Sequence, residues 1–284
     1  MPEIGECYTI AKKVPALHKV GPALISKRFY KYINPKRNVS DLIKKVFTIE
    51  KPFAYGKAIW FPVQQGKKKG YLISQLGMTG SWFVDESGRA PKNDHFTLTN
   101  GTVTLRYSDP RMFGNLNLFW QSDKETDKKL RLRIIKKYRW GLDPNQSSVL
   151  ALTKALNRWK KSSKKIKALM LDQNIIFGIG NYLASEILYA AKISPYLPGN
   201  QLTNEDVIIL IKEMKRIVSL AIKTGGYSFA AGYYHPDGSV GKMAKFIKVY
   251  EQADQTCKEC NSIIKKEFIN NRATYFCPHC QSGK

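Results

Sequence analysis

Four of the five cysteines fall in the last 28 residues as Cys257-x2-Cys260 and Cys277-x2-Cys280, with 16 residues between the two pairs. Two such knuckles joined by a hairpin place four thiolates around a tetrahedral ion, which is the spacing of structural zinc in a reducing compartment. One structural Zn2+ is therefore the expected cofactor, and the C-terminal segment is expected to fold around it. Redox or disulfide pairing is the weaker reading, because neither CxxC opens a helix after a strand. Cys7 is left over and reads as a small buried apolar residue.

The rest of the chain is long enough, at 284 residues, for two domains with their own cores. Lys and Arg outnumber Asp and Glu by 47 to 22, a formal charge of +25. Such an excess calls for a polyanionic partner, and its dispersal along the whole chain favours nucleic acid over a membrane surface. A merely solvated basic surface is the alternative. No run of about 18 apolar residues occurs and the start lacks the apolar core of a signal peptide, so an intracellular protein is expected.

Periodicity divides the chain. Ile4, Cys7, Tyr8, Ala11, Val14 and Leu17 recur at three- and four-residue steps, which predicts a helix over 4–17 that Pro15 kinks or ends. From about residue 44 to 120 the period becomes two: KVFTI, KAIWF, GYLISQ, SWFV, HFTLT, TVTLRY and NLNLF are short runs separated by Gly, Pro, Asn and Asp. That pattern predicts a sandwich or barrel. A lysine-rich passage from Gln121 to Arg139 reads as a linker or exposed helix, and Ser147 to Ala221 returns to helical stripes. Short strands resume from about Lys245 around the cysteines.

Two local features suggest chemistry. Pro2 stands directly behind Met1 and beside Glu3. Removal of Met1 would leave a secondary amine, and alpha-amino groups titrate near about 7.7–8.0, so much of it is neutral and nucleophilic at physiological pH. A plain helix start is the bland alternative. In LDQNIIFGIGNYLASEIL, Gly178-x-Gly180 makes a tight turn that delivers Asn181 to a helix start, where it is expected to cap exposed N–H groups suited to phosphate. A lone GxG is weak.

The ordered motifs are more specific: Pro2-Glu3 with Glu6, Gly56-Lys57, LGMTG at 76–80, DPRMFG at 109–114, GLDP at 141–144, the 171–188 string, Val249-Tyr250 and NRATYFCPHCQ. In these motifs, over almost its whole length, the chain resembles the formamidopyrimidine-DNA glycosylase and endonuclease VIII family. The resemblance implies an α+β fold: an N-terminal β-sandwich with a leading helix, a helix–two-turns–helix domain and a β-hairpin zinc finger. The corresponding segments are 1–122, a linker over 123–140, 141–244 and 245–284. It also implies a bifunctional glycosylase and apurinic/apyrimidinic lyase of base excision repair. The expected partner is damaged double-stranded DNA, engaged by a monomer in the cytoplasm or nucleoid, with no membrane association.

Under the resemblance, Pro2 attacks C1′ of the damaged nucleotide and Glu3 moves protons beside it, while Glu6 is a second, orienting acid. Lys57, Asn181 and Arg272 match positions that grip phosphates around a flipped nucleotide. Met78, Arg111 and Phe113 match the trio that fills the void, with the guanidinium able to pair with an orphaned cytosine. This trio looks more like the branch acting on oxidised purines, 8-oxoguanine and formamidopyrimidines, with β,δ-elimination. Read singly, Lys57 could be a solvated strand-end lysine, Arg272 a hairpin-tip charge, and Met78 and Phe113 ordinary core. Three departures from the family pattern stand out: Gly5 replaces a proline, Gln75 replaces a histidine before LGMTG, and the segment after Gly225-Gly226 carries Tyr227, Phe229, Tyr233 and Tyr234. Two alternatives stay open, a non-catalytic binder of damaged DNA and a preference for oxidised pyrimidines or hydantoins.

Overall fold

The computed structural model describes residues 2–25, 45–85, 94–228 and 234–282. Phe229 and Tyr233 of the aromatic segment lie outside the described residues. Contacts group the chain into two compact units, one of residues 1–138 with 225–242 and one of 139–224 with 243–284.

The first unit opens with α1 (Ile4–Lys13). The expected helix to residue 17 stops earlier because Val14 turns extended before Pro15, whose ring disfavours a helical predecessor. Among the described residues ten strands follow, β1 (Leu17–Val20), β2 (Leu24–Ile25), β3 (Phe47–Ile49), β4 (Phe53–Tyr55), β5 (Ala58–Gln65), β6 (Lys68–Gln75), β7 (Ser81–Asp85), β8 (Asp94–Thr99), β9 (Thr104–Ser108) and β10 (Asn115–Trp120). They pair antiparallel in two sheets, β1-β3-β5-β6-β10 with β4 on β5, and β2-β8-β9-β7. Alternating apolar residues of both sheets meet in one core with α1: Ile10, Leu17, Phe61, Leu72, Trp82, Phe96, Leu105 and Leu116 are buried there, and Phe61 lies 4.6 Å from Trp82 between ring centroids. Cys7 is buried in the same core, as its sequence context suggested.

The passage 123–140, expected as a linker, carries α2 (Asp127–Tyr138), which groups with the first unit. Leu130 and Ile134, four residues apart, are its buried pair, and most of its other residues are Lys or Arg, with Leu132 exposed among them. Residues 225–242, expected within the helical domain, also group with the first unit. They are held there by Val84 N–H on the Pro236 carbonyl at 3.0 Å and by Lys13 on Asp237 at 2.5 Å.

The second unit contains α3 (Val149–Leu156), α4 (Ile166–Met170), α5 (Asn181–Ala190) and α6 (Asn204–Thr224), followed by the hairpin β11 (Lys265–Ile269) and β12 (Arg272–Phe276). No helix among the described residues is long and apolar enough to cross a membrane.

Candidate functional site

In the first unit the register of the larger sheet gathers the predicted residues at one end. Ala58 pairs with Gln75, and Gln75 pairs with Asn115. The start of β5, the end of β6 and the start of β10 therefore lie side by side, bringing Lys57, Gln75 and the loops 76–80 and 109–114 to that end. Lys57 follows Gly56, whose φ of +53° makes the turn out of β4. Each of the two loops passes from one sheet to the other, 76–80 from β6 to β7 and 109–114 from β9 to β10.

The two crossings interlock. A Cβ on Gly77 would lie 2.5 Å from the Phe113 carbonyl carbon, and one on Gly114 would lie 1.8 Å from the Tyr107 hydroxyl. Asp109, fully buried, ties them together: one carboxylate oxygen accepts Thr79 Oγ1–H at 2.6 Å and the other accepts Gly114 N–H at 2.7 Å. The Asp109 carbonyl accepts from Met112 N–H at 3.1 Å and stands 2.9 Å from His95 Nε2. What the clamp displays is Met78, Arg111 and Phe113, the trio expected from the resemblance. Met78 is 43% and Phe113 57% exposed, which removes the core reading for both, and the exposed Arg111 guanidinium sits 4.8 Å over the Phe113 ring. Asp109 was not singled out from sequence; its place ahead of a proline in DPRMFG was the available signal.

Pro2 and Glu3 are both buried, at the start of α1, which packs against β4 and β5. Glu3 caps the helix in a capping box with Glu6, whose Oε2 accepts Glu3 N–H at 2.9 Å. The other Glu6 oxygen accepts Tyr227 N–H at 2.6 Å. Glu6 is fully buried, and that desolvation, with the Glu3 carboxylate beside it, pushes its pKa up to about 7 despite the backbone donors. Gly226, at φ +79°, fits against it because a Cβ there would lie 2.5 Å from Glu6 Cδ. Gly5, in place of the proline, is a buried helical residue whose carbonyl accepts the Thr9 hydroxyl at 2.8 Å.

In the second unit Asn181 is the first residue of α5, and the cap is Gly180. The expected capping role is thus corrected: the extended backbone at Gly180 ends the turn, and the Asn181 amide reaches away to the finger, donating to the Ala273 carbonyl at 2.8 Å. This holds it one residue from Arg272, which is exposed at the start of β12. Asn270 and Asn271, at φ +48° and +58°, make the two-residue hairpin turn that ends there. Gln173 zips the loop before α5, donating to the Leu171 and Ile179 carbonyls at 2.9 and 2.8 Å and accepting Gly178 N–H at 3.1 Å. Buried Lys167 donates to the Asn181 carbonyl at 2.9 Å and to Ser185 Oγ at 2.7 Å. Glu186 in α5 accepts the N–H groups of Lys248, Val249 and Tyr250 at 2.9, 3.0 and 2.8 Å, which accounts for the Val249-Tyr250 motif.

The sulfurs of Cys257, Cys260, Cys277 and Cys280 all lie within 4.8 Å of one another, with Cys257–Cys280 at 3.9 Å and Cys260–Cys277 at 3.3 Å. Thiolates bound at about 2.3 Å to a tetrahedral ion stand roughly 3.8 Å apart, so this set fits one zinc ion. Gln281 anchors the knuckle, accepting Cys277 N–H at 2.9 Å and donating to the Ile193 carbonyl at 2.8 Å.

A β-sandwich, a helical domain with Asn181 after a glycine turn, and a four-cysteine finger that fits one zinc ion are together the parts of a zinc-finger DNA glycosylase. The family comparisons are specific to it. The formamidopyrimidine-DNA glycosylase N-terminal domain matches residues 1–116, the formamidopyrimidine-DNA glycosylase H2TH domain matches 140–231, and the zinc finger found in FPG and IleRS matches 254–283. Formamidopyrimidine-DNA glycosylase of Mycoplasma genitalium is 32% identical, covering 99% of this chain and 96% of that protein. The protein of the same name from Bdellovibrio bacteriovorus is 32% identical over 99% of this chain and all of its own length. Among solved structures, Lactococcus lactis Fpg (MutM) bound to DNA containing an oxidised pyrimidine superposes with a TM-score of 0.82 at 29% identity, covering 99% of both chains. MutM in complex with carbocyclic 8-oxo-G DNA gives 0.82 at 28%, covering 99% of both chains. This chain belongs to the formamidopyrimidine-DNA glycosylase family.

Proposed function

We propose that this protein excises oxidised purines from duplex DNA and then cuts the strand, with the Pro2 nitrogen as nucleophile once Met1 is removed. The neutral amine attacks C1′, forming a C–N bond as the bond from C1′ to the base breaks. The electron pair leaves with the base, which takes a proton from solvent, and the amine proton passes to Glu3. Glu3, at the helix start beside it, donates a proton to the sugar ring oxygen as the ring opens, leaving an iminium. Loss of a C2′ proton then expels the 3′ phosphate, and a second elimination through C4′ expels the 5′ phosphate. Hydrolysis of the iminium frees Pro2. Glu6 orients the segment, since it accepts from Glu3 N–H at 2.9 Å.

Lys57, Asn181 and Arg272 grip the phosphates flanking the flipped nucleotide, and Gln75 lies at the same sheet end as Lys57. Holding those phosphates offsets an unstacking cost of a few kcal/mol. Zinc, when bound, keeps the hairpin rigid so that Arg272 is held in place. The observation that carries the reading is the exposed trio of Met78, Arg111 and Phe113, two apolar side chains and a guanidinium presented on a clamped pair of loops. The working form is a monomer acting on chromosomal DNA inside the cell.

One observation favours a second substrate class: the Lactococcus lactis neighbour was captured with an oxidised pyrimidine. Duplexes carrying 8-oxoguanine, a formamidopyrimidine, thymine glycol or a hydantoin, compared for excision rate, separate the two. Oxidised purines are expected to be cut fastest. Equal or faster cutting of thymine glycol overturns the purine assignment, and binding with no cutting of any substrate makes the protein a non-catalytic binder.

A further inference from the structure

We propose that Asp109 is the positioning residue for opposite-base selectivity, acting through the loops that carry Met78, Arg111 and Phe113. The inference rests on the reading of that trio as the void filler. Met78 and Phe113 stand on different sheet-to-sheet crossings, so their spacing is set by whatever joins the crossings. Asp109 makes that joint with both carboxylate oxygens, one on Thr79 Oγ1 at 2.6 Å, next to Met78, and one on Gly114 N–H at 2.7 Å, next to Phe113.

Its backbone contributes as well. The Met112 N–H bond to the Asp109 carbonyl closes a tight turn over Pro110 and Arg111, with Met112 held at φ +56°. That turn is what projects the Arg111 guanidinium outward over the Phe113 ring. The Tyr107 hydroxyl fills the remaining space: a Cβ on Gly80 would lie 2.3 Å from it, and it stands 3.4 Å from Asp109 Oδ2. Burial and the adjacent carboxylate push the Tyr107 pKa upward, which keeps it a neutral donor to Asp109. A guanidinium that must meet a cytosine edge bidentately tolerates little displacement. Loosening this joint should therefore cost recognition of the orphaned base before it costs the sugar chemistry.

The test is single-turnover excision of 8-oxoguanine opposite dC and opposite dA by wild type, Arg111→Ala, Thr79→Val, Asp109→Asn and Asp109→Ala. Wild type is expected to favour dC, and Arg111→Ala to flatten that ratio. Thr79→Val and Asp109→Ala are expected to lower the dC-to-dA ratio about fivefold or more, the scale of a lost charge-assisted hydrogen bond. Asp109→Asn can still accept from Gly114 N–H and donate to Thr79, so it is expected to stay closer to wild type than Asp109→Ala. Thr79→Val leaves Asp109 and its backbone bonds in place and carries the test should Asp109→Ala not fold. Equal losses opposite both bases in Thr79→Val and Asp109→Asn would make the joint merely structural and overturn the inference. A ratio flattened by Arg111→Ala but untouched by Thr79→Val and Asp109→Ala overturns it while the void-filling reading stands. A wild type with no preference removes that reading and the inference with it.

Discussion

Glu6 accepts the Tyr227 N–H at 2.6 Å, a bond that closes 221 residues of chain and pins Tyr227 against the helix that follows the proposed nucleophile. The same carboxylate accepts Glu3 N–H, so one buried acid orders both the start of α1 and a distant loop. Both donors are best served by the ionised form, while burial and Glu3 oppose it. The group is thereby poised to titrate within the physiological range.

This gives a pH dependence with a definite sign. The folded pKa of about 7 lies above the ordinary 4.5, so between those values the folded chain keeps a proton that the unfolded chain has released. The contribution of Glu6 to stability is complete below about pH 4.5 and is lost as pH rises to about 7, at most about 3 kcal/mol in all. Denaturant unfolding of wild type and Glu6→Gln at pH 5.5 and 8 is expected to show wild type losing stability relative to the variant at the higher pH. Parallel curves would mean that Glu6 does not titrate there.

Gly226 tests the packing of the same contact. Its φ of +79° strains any side chain, and the added Cβ would also meet Glu6 Cδ at 2.5 Å. Gly238, at φ +77° with nothing within 4 Å, carries the strain alone. Gly226→Ala is expected to destabilise by about 2 kcal/mol or more and Gly238→Ala by about 1. Equal losses by chemical denaturation would show that the Glu6 contact contributes little.

Metal analysis by mass spectrometry is expected to find one zinc per chain in the intact protein and none bound tightly in Cys277→Ser. Loss of the ion frees the hairpin, so duplex affinity should fall together with metal content. Cys277→Ser protein that binds DNA as wild type does would contradict a role for the finger in holding Arg272.

Much of this was legible from pattern. The two-residue period located β3 and β5 to β10, because alternate residues such as Ile59, Phe61 and Val63 enter the core between the sheets, and the cysteine spacing located the metal site. β1, β2 and β4 were not found, since two to four residues such as Leu24–Ile25 are too short to show a period. The place of 225–242 in the first unit depends on Glu6, Lys13 and Val84, all far away in sequence, which no local window contains. Asn181 looked like a cap because Asn caps helices well; Gly180 takes that place and the amide goes to Ala273. Asp109 was hidden for the same reason, as its partners only meet when two sheets have formed.

Asn181 supplies a further check. Asn181→Asp loses the donor to the Ala273 carbonyl and sets a negative charge where a phosphate is proposed to bind. Duplex affinity is expected to fall tenfold or more at low salt, on the order of 1.4 kcal/mol, with a smaller loss for Asn181→Ala. Unchanged affinity in Asn181→Asp would remove the residue from the phosphate grip.

The central claim is that the Pro2 nitrogen bonds to deoxyribose, and borohydride reduction during turnover of 8-oxoguanine duplex tests it most directly. The predicted result is a covalent adduct that peptide mapping places on an N-terminal Pro2 lacking Met1, and that Pro2→Gly strongly reduces. An adduct mapped to a lysine, or trapped equally by Pro2→Gly, would contradict it.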